Sequence, residues 1–159
     1  MSFPRLAGAA LLLAAAAALT LLPQSAASRQ QSPDDAVPAF HDKAPTGPLP
    51  STMAPSSFPD PVVQNAYALA AKIKRVLYQE PCYCHCDRSA GHNSLLDCFA
   101  SRHGSGCGVC IEEDIYSYEQ TRKGKTPAQI REGIIHGDWK TVDLTRYQTP
   151  PAAGGKSPQ

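Results

Sequence analysis

Pro81-Cys82-Tyr83-Cys84-His85-Cys86 packs three thiols into five residues. Cys98 and the pair Cys107-Gly108-Val109-Cys110 supply the rest. All six cysteines of the chain therefore lie between Cys82 and Cys110, together with three of its five histidines, His85, His92 and His103. A cluster this dense binds a metal, exchanges electrons with a disulfide, or staples a small fold.

The segments flanking this stretch read as helices. Asp60-Pro61 is a helix start, with an acidic N-cap and proline at the first helical position. Val62, Ala66, Leu69, Ala70, Ile73, Val76 and Leu77 follow at helical spacing. Glu80-Pro81 stops the run, because the residue before proline avoids the α region. The chain is thereby delivered directly to Cys82, and residues 82–91 read as a loop. Ser94 opens a short second helix with Asp97 at the capping-box position, Leu95, Cys98 and Phe99 inward, and Gly104 at its end. A third helix begins near Gly106 and carries Cys107, Cys110, Ile111, Asp114, Ile115 and Tyr118 on one stripe. Glu112, Glu113 and Asp114 read as its acidic first turn. Thr126-Pro127-Ala128-Gln129 starts a fourth, with Ile130, Ile134 and Ile135 facing inward and Gly137 ending it. Trp139, Val142, Leu144 and Tyr147 are expected to pack back. The expected fold is a small all-α, cysteine-rich domain of four helices over residues 59–147.

The remainder of the 159 residues reads differently. Arg5, the Ala/Leu run Leu6 to Leu22, Pro23 and the small residues Ser25-Ala26-Ala27 form a secretory signal over residues 1–27. The protein is therefore expected to be exported, to the periplasm or outside the cell. A membrane becomes a partner only if the signal stays uncleaved. No cysteine follows the apolar run, so a lipid anchor at that site is chemically impossible. Residues 28–58 hold Pro33, Pro38, Pro45, Pro48, Pro50 and Pro55 among Ser, Asp, Ala and Thr, which reads as a disordered tether. Residues 148–159 read as a disordered tail. The formal net charge of +1 gives no argument for nucleic acid. A domain this small sits near the limit of what apolar burial alone stabilises, so a metal or crosslinks would help.

Three chemistries remain open for the thiols. Soft thiolates select Cu(I) or Zn(II) over hard cations. Cys107-x-x-Cys110 has the spacing of a zinc knuckle, whereas the closer Cys82-x-Cys84-x-Cys86 spacing suits low-coordinate Cu(I). Cys82, Cys84, Cys86, Cys98, Cys107 and Cys110 are the ligands expected on this reading, with His92, between Gly91 and a helix cap, as the imidazole. Alternatively, Cys107 at a helix start would attack a disulfide and Cys110 would resolve it. Three bridges across the six cysteines would make a stapled interaction module, each contributing about 2–4 kcal/mol. No Ser-His-Asp, phosphate-loop or HExxH spacing is present, which argues against a hydrolase or a nucleotide enzyme.

The string Pro81-Cys82-Tyr83-Cys84-His85-Cys86, then Gly91-His92-x-Ser94-Leu95-x-x-Cys98-Phe99 and Cys107-x-x-Cys110, resembles the PCYCGC-motif family. These are exported bacterial proteins of uncharacterised function, also called CYCXC (seleno)proteins. His85 stands where that motif has glycine. The selenoprotein label implies reactive thiols in place of inert bridges. Cys107-x-x-Cys110, followed by Gly124-Lys125-Thr126 and Ile130-Arg131, is also similar to the thiol oxidoreductases of cytochrome c maturation, which implies redox chemistry. The leading expectation is a metal sequestering or delivery protein and not an enzyme; its partner is then a metal ion, or a thiol/disulfide protein on the redox reading.

Overall fold

The computed structural model describes residues 36–151. The secretory signal expected at 1–27, the start of the tether and the tail from residue 152 lie outside the described residues. Six α-helices and four short 3-10 turns are present, with no strand among the described residues. The all-α expectation holds at that level; the helix count does not.

Helix α1 (Pro61–Lys72) starts as its sequence dictates, the Asp60 carboxylate accepting the Val62 N–H at 2.7 Å. It does not run on to Glu80. Ile73 leaves helical geometry at φ −121° and ψ 27°, and the chain resumes as α2 (Lys74–Leu77). A β-branched residue has little helix preference to lose there, and the break leaves both Ile73 and Leu77 buried.

The stretch read as a loop contains α3 (Cys86–Ser89). Helix α4 (Leu95–Ala100) follows Ser94, but the Ser94 hydroxyl makes no cap. Asp97 instead accepts the Asn93 N–H at 2.7 Å. Gly104 does not end α4. It lies in the 3-10 turn His103–Gly106, where a Cβ would stand 3.1 Å from the Cys98 carbonyl. Its small size, not its backbone freedom, is what the fold uses.

Helix α5 (Gly108–Arg122) is the central element, packed against α1, α2, α4 and α6. It is buried nearly all round. Ile111, Ile115, Glu113, Asp114, Tyr116 and Ser117 all face protein. An interior helix loses the one-sided apolar pattern of a surface helix, so the expected stripe marks only part of what α5 buries.

Helix α6 (Pro127–His136) carries the complete capping box between Thr126 and Gln129 and ends on Gly137 at φ +81°. It docks closely on α5 because residue 133 is glycine; a Cβ there would collide with the Tyr116 hydroxyl. Tyr116, Ile130, Ile134 and Trp139 form this second core, whereas Ile135 is only half-buried. The main core centres on Tyr67, which lies 4.2 Å from the Phe58 ring and 5.0 Å from the Phe99 ring.

Residues 36–58, assigned by composition to a disordered tether, instead lie along the domain. Pro38 and Phe58 are buried. The His41 ring stacks on Tyr78 at 3.9 Å, and the Arg131 guanidinium covers Phe40 at 4.4 Å. Arg75 donates to the Pro45 carbonyl at 3.0 Å, and the Met53 N–H donates to the Phe99 carbonyl at 3.0 Å. Scattered apolar residues each find a slot, and the prolines lower the entropy lost on ordering the strap. At the other end the Thr149 carbonyl accepts from the Asn65 amide at 2.7 Å. No helix among the described residues is long and apolar enough to cross a membrane.

Candidate metal centre

Each short element around the Cys-x-Cys-x-Cys stretch delivers one or two soft donors to a common point. Cys82 and Cys84 come from the turn after Pro81, Cys86 from the first residue of α3, Cys98 from α4, and Cys107 and Cys110 from the first turn of α5. None of the six is disulfide-bonded. The Cys82 Sγ lies 3.3 Å from Cys84 and 3.4 Å from Cys110, and Cys84 lies 3.6 Å from Cys110. Cys86 lies 3.3 Å from Cys98. Sulfurs on one tetrahedral zinc, each about 2.3 Å from the ion, sit about 3.8 Å apart. The cluster is therefore already near the dimensions of a thiolate site.

Two imidazoles join it. The His92 Nδ1 stands 3.3 Å from the Cys98 sulfur. His103 was not among the expected ligands, yet its Nε2 lies 3.8 Å from the Cys84 sulfur and its ring packs edge-on against His92 at 4.8 Å. Eleven positions separate the two histidines in sequence; only the α4 turn brings them together. His85 stays out of every Cys/His grouping in the cluster.

The conformation of His85 explains the motif instead. Its φ is +55° and its ψ 35°, the left-handed region, and it is the only non-glycine residue there among those described. That bend turns Cys84 and Cys86 toward the same interior point. A glycine would adopt it freely, whereas a side chain costs about 1–2 kcal/mol. We therefore expect His85→Gly to raise stability by about 1 kcal/mol in urea denaturation while leaving metal uptake unchanged. A loss of metal in that variant would make His85 a ligand after all.

The thiols share protons unequally. Hydrogen bonds from Cys110 and then Cys82 hold the Cys84 thiol far below its usual range. Cys82 is pushed up, chiefly by its hydrogen bonds with Cys110 and Cys84, and Cys98 is pushed up by Cys110 and its other sulfur neighbours. Charge accumulating on these neighbouring sulfurs is resisted until a cation compensates it.

Two acids beside the cluster, expected in the acidic first turn of α5, lie beyond that turn. Glu113 and Asp114 are fully buried, as is Glu80 at the end of the α2 segment. They face inward because α5 has almost no solvent face. Glu113 accepts the Tyr83 N–H at 2.9 Å, tying α5 to the peptide between Cys82 and Cys84. Burial pushes its carboxyl up to about 8, against the opposing hydrogen bonds from Tyr83 and Cys82. Glu80 is likewise pushed up to about 8 by burial, against the attraction of Arg131.

Solvent reaches the cluster from one side. Pro38, Ala39 and Ser94 close over Cys82, Cys86 and His92. Cys84 and Cys107 remain half-exposed. An open groove of about 310 Å³, lined by Asp60, Val62, Val63, Ile111 and Leu144, lies beside Cys107.

These features define a class: a small all-α, cysteine-rich domain built around a thiol and imidazole cluster able to hold a metal ion. Residues 48–150 match the family described as "Protein of unknown function with PCYCGC motif", and the chain belongs to that family. No curated protein and no solved structure matches the chain.

Proposed function

We propose that this is an exported protein that binds a soft metal ion, Cu(I) or Zn(II), for sequestration or delivery. One observation carries the reading: six unbridged sulfurs and two imidazole nitrogens converge in one mostly buried cluster. Buried thiols so close together gain little from one another, whereas a soft cation coordinates several at once and takes up their charge. The half-exposed Cys84 and Cys107 supply a route for ligand exchange, which delivery requires. Export rests on the apolar run Leu6 to Leu22 and the small residues after it.

Intact mass under native and denaturing conditions, with thiol alkylation, tests the reading on the purified protein. The expected result is a metal-sized increment lost on denaturation, with six alkylatable thiols. A metal-free protein with its thiols consumed in bridges would refute it.

Dithiol exchange is the second reading, favoured by the placement of Cys107 as the N-cap of the long helix α5 with Cys110 buried behind it. Metal-independent reduction of a disulfide substrate, abolished by Cys107→Ser, would establish it in place of metal delivery.

A further inference from the structure

The donors fall into groups too numerous for one ion. Cys86, His92, Cys98 and His103 have their ligand atoms all within 4.8 Å of one another. Cys84, Cys107 and Cys110 do the same. The two groups share no residue. A tetrahedral ion takes four donors, so a single ion would leave at least three of these seven unused in a largely buried cluster.

Resting on the metal reading above, we propose that the cluster holds two different ions: a resident Zn(II) on Cys86, His92, Cys98 and His103, and an exchangeable Cu(I) on Cys84, Cys107 and Cys110. Cys82 lies between them. It groups with Cys98 and Cys110 on one hand and with Cys84 and Cys86 on the other, each time with one donor of either ion.

Charge, softness and burial assign the ions. Two thiolates and two neutral imidazoles cancel the +2 of zinc, so the inner site, whose two thiols are buried, carries no net charge. Three sulfurs without imidazole form the softer set and select Cu(I). The first turn of α5, where Cys107 and Cys110 sit, offsets the surplus negative charge of that set. On loading, the thiol protons leave to solvent and no electron is transferred.

The supporting elements differ in the same sense. The inner donors come from α3 with four residues, the irregular segment that carries His92, α4 with six, and the 3-10 turn His103–Gly106. Helices this short do not hold themselves, and an ion joining them acts as structure. In the outer set Cys84 and Cys107 reach solvent, the open side that an ion in transit needs.

The test loads the full chain anaerobically with Zn(II) and then Cu(I), and reads stoichiometry by native mass spectrometry and ligation by X-ray absorption at both metal edges. One zinc and one copper per chain are expected, with mixed sulfur and nitrogen ligation at zinc and sulfur alone at copper. His92→Ala with His103→Ala should lose the zinc and keep the copper, and Cys107→Ser with Cys84→Ser the reverse. The absorption spectra of the unaltered chain decide the matter even if a variant fails to fold. One ion per chain, zinc displaced by copper, or an all-sulfur zinc edge would overturn the two-ion assignment while leaving metal binding intact. No ion at all would remove the metal reading itself.

Discussion

Stripping metal from the loaded protein with a strong chelator, thiols kept reduced, is expected to lower Tm by about 15–30 °C. Binding at a ligand concentration about 1,000 times Kd stabilises a fold by about 4 kcal/mol. A domain of this size shifts by about 4–8 °C per kcal/mol. The effect is large because of what the cluster joins. Between Pro81 and α5 the chain has only α3, α4 and one 3-10 turn, elements too short to hold themselves. Their fixed arrangement depends on the side chains that meet at Cys82, Cys98 and His103. Calorimetry or circular dichroism of loaded and stripped protein measures the shift. An unchanged Tm, with the metal shown to be removed, would mean that no ion supports the fold.

Asp114→Asn is expected to stabilise the protein increasingly as pH rises. Asp114 is fully buried, and neither carboxylate oxygen has a hydrogen-bond partner. Burial raises its carboxyl well above the ordinary aspartate range. The folded protein therefore keeps a proton that the unfolded chain releases above about pH 4. Stability is undiminished below that pH. Above it the wild type loses about 1.4 kcal/mol per pH unit from this residue, until the folded-state pKa is reached. Asparagine has nearly the same shape and no such proton. Glu80 and Glu113 impose a loss of the same sign, but both proteins retain them, so they cancel in the difference. Urea denaturation of both proteins, with metal removed, at about pH 4.5, 6 and 7.5 should show the two diverging with that slope. A difference that stays constant with pH would place the Asp114 carboxyl in contact with water.

The local signals were legible where a few adjacent residues decide the outcome. Asp60-Pro61 and Thr126-Pro127-Ala128-Gln129 start helices as expected, because a cap and its N–H partner lie within three residues. The break at Ile73 was not legible, since it depends on what the side chain meets across the core. Nor was the strap over residues 36–58. Its composition resembles that of disordered chain, yet single residues such as Pro38 and Phe58 fill slots that exist only on the folded domain.

The site divides along the same line. From sequence alone came the all-α class, the family resemblance and the seven expected donors, because thiols and imidazoles announce their chemistry by type and spacing. Tertiary structure alone decided that His103 joins them and that His85 serves as a backbone bend. It also decided that Glu113 lies inside. Each of these depends on long-range packing: α5 passes through the centre of the domain, and the short turns between Cys82 and Cys107 wrap around its first turn. Sequence spacing records which donors are available; distance across that wrapped surface determines which of them meet.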